Sequence, residues 1–189
     1  MTSKPPAFSR GDWYESVFDR KVAAGEDVNG EARFVLSLSP RSVLDAGCGT
    51  GRIGRELALQ GVEMLGFDVD PEMLGTTKNK APGVTWIRNE VTVIDLKRRF
   101  SMVLLAGNVI NFVEPQRRPL AVMNMSHHLD ARGALVTGHA VERGVIEAAD
   151  FDRWASAAGL RLVERWSTWQ RAPFSSDSGY AVSIHRKTE

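Results

Sequence analysis

Asp45, Gly47, Gly49 and Gly51, a carboxylate followed by glycines at alternate positions, are the residues of this chain best arranged for chemistry. Val43 and Leu44 read as the end of a buried strand, which puts Asp45 at a strand tip. The glycines then make a turn where backbone can approach a ligand with no Cβ in the way. Over residues 52–60, Ile53, Leu57 and Leu59 are spaced as the inward side of a helix. Strand, turn and helix in that order are the context a glycine-rich nucleotide loop requires. Gly49, Gly51 and Gly54 also satisfy G-x-G-x-x-G, the pattern that cradles a dinucleotide pyrophosphate. Asp45 shifts the balance away from that reading. Pyrophosphate is anionic and gains nothing from a carboxylate beside it, whereas an α-amino group or a sulfonium is attracted.

The segment resembles the first motif of the class I S-adenosylmethionine-dependent methyltransferases, acid-x-Gly-x-Gly-x-Gly, and Asp45, Gly47, Cys48, Gly49 and Gly51 fall within it. Residues 64–68 form a short apolar run ending in Asp68, about 20 residues past the loop, where an acid can accept hydrogen bonds from both ribose hydroxyls. Residues 66–74, including Val69, resemble the family's second motif region, and Asp70-Pro71 reads as a helix cap with proline at the first helical position. After a strand near residues 85–91, the family carries Gly-Asp beside the adenine; here Asn89-Glu90 stands there, followed by Val91. Residues 100–106 are the best fully buried strand, ending in Ala106, with Asn108, Asn111 and Phe112 beyond it. The resemblance places Ala106 and Asn108 along the methionine portion of the cofactor, and Asn111 and Phe112 toward the methyl acceptor.

The fold thereby implied is a three-layer αβα sandwich, with a seven-stranded, mostly parallel sheet whose last strand is antiparallel. Helices are expected at residues 13–24 and 31–38, and from Pro115 or Pro119 to about His128. A strand is expected at 134–138, then a helix capped by Asp150 with Phe151, Trp154 and Ala158 inward. Residues 160–169 and 180–185 read as the closing strand pair. Residues 1–10, with Pro5-Pro6, read as loose. Residues 1–32 are expected to form a helical segment over the acceptor site, and residues 33–189 the cofactor-binding domain, one globular unit in all.

Composition sets limits on partners. The 189 residues are 43% apolar and 25% charged, with a net charge of +1, which argues against a strongly electrostatic nucleic-acid surface. No run approaches the ~20 apolar residues of a membrane span and none at the start reads as a signal, so a cytoplasmic location is expected. Cys48 is the single cysteine and cannot form an internal disulfide. The four histidines show no metal-ligand spacing, and no metal is expected.

The resemblance implies methyl transfer from S-adenosylmethionine, leaving S-adenosylhomocysteine, by in-line displacement. Alignment and exclusion of water are the protein's main task, and positioning of this kind contributes ~7–11 kcal/mol. His139, at the tip of the fifth strand, is the candidate general base. Trp13, Tyr14 and Phe18 are candidates for an aromatic lid, with Phe112, Trp169 and Phe174 opposite. The stretch 106–109 lacks the Asn/Asp-Pro-Pro-aromatic motif of base-amino methylation, and there is no Pro-Cys nucleophile for carbon-5 methylation. A small-molecule acceptor is therefore favoured. The alternatives are a non-catalytic S-adenosylmethionine-binding or regulatory protein and an NAD-dependent oxidoreductase, for which a Tyr-x-x-x-Lys pair is lacking at Tyr180.

Overall fold

Five consecutive buried residues, Ser42–Ala46, form β1 at the middle of a seven-stranded sheet. Such a strand, covered on both faces, carries apolar side chains without alternation. The computed structural model describes residues 9–188, so residues 1–8 of the segment read as loose lie outside the described residues. On one side of β1 lie β2 (Glu63–Asp68) and β3 (Thr85–Arg88), and on the other β4 (Phe100–Leu105) and β5 (Leu129–Ala140), all parallel. β7 (Tyr180–Lys187) inserts between β5 and β6 (Leu160–Trp166) and runs antiparallel to both, giving the order β3-β2-β1-β4-β5-β7-β6. This is the architecture the resemblance implied.

Neighbouring residues send their side chains to opposite faces. Leu44, Val103 and Leu135 belong to one core with Phe151, while Val43, Leu104 and Val136 belong to the other with Leu57. The helices α1 (Arg10–Ala23), α2 (Gly30–Leu36), α3 (Arg52–Leu59), α4 (Pro71–Lys80), α5 (Val109–Phe112), α6 (Arg118–His127) and α7 (Ala148–Ala157) cover these faces and link the strands. The chain order reverses between β1 and β4, which opens a crevice beyond their carboxyl ends, the usual ligand position in an open α/β sheet.

α1 begins where a loose end was expected: Ser9 caps it by accepting from the Asp12 amide at 3.1 Å, with Asp12 completing the capping box. A Cβ on Gly11 would lie 2.5 Å from Thr76 Oγ1, so the bare backbone lets α1 press onto α4. Three expectations need correction. Leu59 is 79% exposed; Leu57 is the fully buried apolar side chain of that helix, and Ile53 packs against the same core. Glu147, not Asp150, is the N-cap of α7; Asp150 is the reciprocal member of the capping box. β6 ends at Trp166, before a bend, and Trp169 packs edge-on against Phe34 at 5.3 Å rather than extending the strand.

Candidate active site

A cavity of about 750 Å³ lies beyond the carboxyl ends of β1, β2 and β4. Asp45 forms part of its floor, is 2% exposed, and has one carboxylate oxygen, Oδ2, with no hydrogen-bond partner. Burial pushes its pKa up to about 7; Arg52 opposes that rise and Asp68 adds to it. The glycine turn is tied to β2, since the amides of Gly47 and Cys48 both donate to the Phe67 carbonyl, at 2.8 and 2.9 Å. Gly47 has φ +76° and a Cβ there would fall 2.4 Å from Val109 Cγ2. Gly49 has φ +54° with nothing within 4 Å of its Cβ position, so its backbone is open to a ligand.

Asp68 is held at the tip of β2 by two amides: Gly49 donates to Oδ2 at 2.8 Å and Asp70 to Oδ1 at 2.9 Å. Each oxygen keeps a second lone pair. Val69 continues this side of the cavity, and Glu90 and Val91 border its far end. Glu90 folds back to pair with Arg117 at 2.9 Å and to accept from the Thr92 hydroxyl. Ala106, Gly107 and Val109 build the opposite wall, with Phe112 84% exposed at the mouth. From α1, Tyr14 and Phe18 face the cavity, and the Arg52 guanidinium lies 4.4 Å over the Phe18 ring while pairing with Glu31 at 2.9 Å.

Residues 43–133 match the family described as methyltransferase domain. The crystal structure of a TehB-like S-adenosylmethionine-dependent methyltransferase from Corynebacterium glutamicum is 34% identical, with 94% of this chain and 98% of that one covered, at a TM-score of 0.87. The chain belongs to the S-adenosylmethionine-dependent methyltransferases. Two further structures resemble this methyltransferase in fold. One is an S-adenosylmethionine-bound amino pentose methyltransferase from Micromonospora echinaspora, 18% identical over 99% of this chain and 100% of that one, TM-score 0.77. The other is the N-methyltransferase NodS from Bradyrhizobium japonicum with S-adenosylhomocysteine, 21% identical over 86% and 90%, TM-score 0.68. No curated protein matches the methyltransferase by sequence.

The cavity's donor set fits the cofactor. An unpartnered carboxylate oxygen suits an ammonium, an open glycine backbone permits close approach, and Asp68 retains acceptor capacity for a pair of hydroxyls. Cys48 lines the same wall, with its thiol pKa pushed up by burial and by Asp45 and Asp68, so it is no nucleophile.

Seven expected residues, Trp13, Gly51, Asn108, Asn111, His139, Trp169 and Phe174, do not line the methyltransferase's cavity. Gly51 faces α4, where a Cβ would sit 2.6 Å from Thr77 Cγ2. Asn108 Oδ1 accepts from the Ala140 amide at 2.7 Å, and Asn111 Nδ2 donates to the Ala140 carbonyl at 3.0 Å. Both asparagines therefore brace the loop after β4 against the end of β5, a use of Asn that loops favour. Trp13 is 57% exposed, since one step along a helix turns it about 100° from Tyr14. His139 is 0% exposed, stacked 5.3 Å from the Phe151 ring beneath α7, and burial pushes its pKa down to about 4. It projects from a sheet face while the cavity opens at strand ends, so it is not placed to act as a base. Phe174 lies under Arg165 at 5.4 Å, also away from the cavity.

Sequence reasoning missed Arg10, Glu31, Arg52, Glu114 and Arg117, which all line the cavity. Arg52 directly follows the glycine turn, a position the motif itself singles out. The others come from α1, α2 and the segment after β4, and nothing in their spacing marks them. Among the described residues no cluster of side chains suits a metal ion, and no helix is long and apolar enough to cross a membrane.

Proposed function

We propose that the methyltransferase transfers a methyl group to a small-molecule acceptor by in-line displacement, with residues 1–32 contributing α1 as one side of the acceptor site. When bound, S-adenosylmethionine supplies a methyl group activated by a positively charged sulfur. Asp45 holds the ammonium of the methionine portion, the Gly47–Gly49 backbone lies along it, and Asp68 accepts from the ribose hydroxyls. Glu90 and Val91 border the adenine. Ala106, Gly107 and Val109 keep water from the reacting end, and Tyr14, Phe18 and Phe112 enclose the acceptor. The work of these residues is orientation and exclusion of solvent, sufficient for a large share of the barrier. A reducing, cytoplasmic setting suits the lone thiol of Cys48.

The observation that carries this reading is the unpartnered Oδ2 of Asp45 beside the open backbone of Gly49. A cation is the ligand that such a group calls for, and diphosphate is one it repels. The neighbours acting on an amino pentose and named as N-methyltransferases lend support to a small acceptor. Calorimetric titration with S-adenosylmethionine, S-adenosylhomocysteine and NAD tests the cofactor site. Binding of the first two without the third is expected; binding of NAD alone overturns the reading. Affinity for S-adenosylmethionine should rise from pH 5 to pH 7, because Asp45 has to lose its proton to face an ammonium. A metabolite screen for S-adenosylhomocysteine release then tests the acceptor class, and turnover only with a macromolecule would refute it.

A further inference from the structure

The charge pattern around the cavity bears on the acceptor. Among the described residues, six carboxylates and three guanidiniums line it, and no lysine does. Each guanidinium is already engaged by one of those carboxylates: Arg10 with Asp70 at 2.7 Å, Arg52 with Glu31 at 2.9 Å, and Arg117 with Glu90 at 2.9 Å. Every cationic side chain of the described lining thus already faces a carboxylate. Three carboxylates remain without a cationic partner: Asp45, Asp68 and Glu114. Asp45 and Asp68 are taken up by the cofactor in the reading above. Glu114 is left over, two residues from Phe112, whose ring is 84% exposed at the mouth.

An exposed aromatic ring and an unpaired carboxylate lining the same cavity each attract an ammonium, the first through its ring quadrupole and the second through charge. We infer that the acceptor is an amine carrying an apolar or aromatic portion, admitted at the mouth by Phe112 and Glu114; this rests on the methyltransferase reading above. The chemistry favours the same class. A bound ammonium would first give a proton to water at the open mouth. The neutral nitrogen's lone pair would then form the bond to the methyl carbon as the carbon–sulfur bond breaks with its electron pair on sulfur, and positive charge would move onto nitrogen. The resulting methylammonium sheds its proton to water. Glu114, left unmatched, favours the approach of a cationic acceptor over that of a carboxylate or an oxyanion.

The test uses the full chain saturated with S-adenosylhomocysteine and three probes that share a phenylethyl group: 2-phenylethylamine, 2-phenylethanol and 3-phenylpropanoate. The amine is expected to bind about tenfold more tightly than either other probe, an advantage that shrinks several-fold in Glu114→Gln and in Phe112→Ala. Tighter binding of the anion or the alcohol, binding of none of the three, or an amine preference untouched by both substitutions overturns the inference. S-adenosylhomocysteine affinity, measured first in the same cell, reports on the cofactor site alone, so failure there counts against the methyltransferase reading instead.

Discussion

Two places on this sheet bury polar atoms that have no partner: the tip of β1 at Asp45, and a strip beneath α7 made by Thr137, His139 and His185. The first opens on a cavity; the second is sealed, each of its residues being 0% exposed. Desolvation disfavours the charged form in both, yet the shifts run in opposite senses because one group is an acid and the other a base. Asp45 is raised to about 7 and His139 lowered to about 4. An orphaned polar atom therefore points to a ligand only where there is room for one. His139 attracts notice in the sequence for its chemistry, but the fold spends it on packing against Phe151.

The contrast can be broken most sharply at Asp45. Its folded pKa lies above the unfolded value of 3.8, so the ligand-free protein loses stability as pH rises through 7. Asp45→Asn should remove that loss, raising ligand-free stability at pH 8 by as much as about 4 kcal/mol in urea denaturation while weakening S-adenosylmethionine binding. A pH-independent difference between the two proteins would refute it. Asp68→Ala, beside it, should cost about 1.5–3 kcal/mol of cofactor affinity by calorimetry, the scale for a charged hydrogen-bond partner.

His139 carries the opposite sign. Its folded pKa lies below the unfolded value of 6.5, so its stabilising effect is whole above 6.5 and is lost as pH falls toward 4. His139→Leu should lessen acid sensitivity by about 2 kcal/mol at pH 5, with cofactor affinity unaltered. Reduced methyl transfer with normal binding would return His139 to the chemistry. The smallest effect is expected at Asn111→Ala, which frees the Ala140 carbonyl. A loss of about 0.5–1.5 kcal/mol in thermal or urea unfolding, with a raised KM for the acceptor and unchanged cofactor Kd, would mark it as a brace for the cavity wall.

The strand tips and the glycine turn were legible because backbone need is written in residue type. Gly47 and Gly49 adopt positive φ, and Asp45 and Asp68 end strands whose apolar runs are short and clear. The sheet order came from the family likeness, since alternating elements alone do not state that β7 enters beside β5. The acceptor side was less legible. Whether Asn108 and Asn111 serve a ligand or a neighbouring peptide depends on where Ala140 ends up, a long-range outcome with no local mark. The same holds for Trp13 and Tyr14, adjacent aromatics of which one helix turn presents only the second to the cavity.

The insertion of β7 between β5 and β6 has a consequence for how the molecule is made. β6 touches the sheet only through β7, which is later in the chain, so during synthesis β6 must wait unpaired and β5 keeps a bare margin. Shortening the chain before Tyr180 would leave that margin permanently open to strand addition from another molecule, the usual route to aggregation. The sheet that carries the cavity at β1, β2 and β4 thus has its β5 margin covered by the eight residues of β7, the last strand to be made.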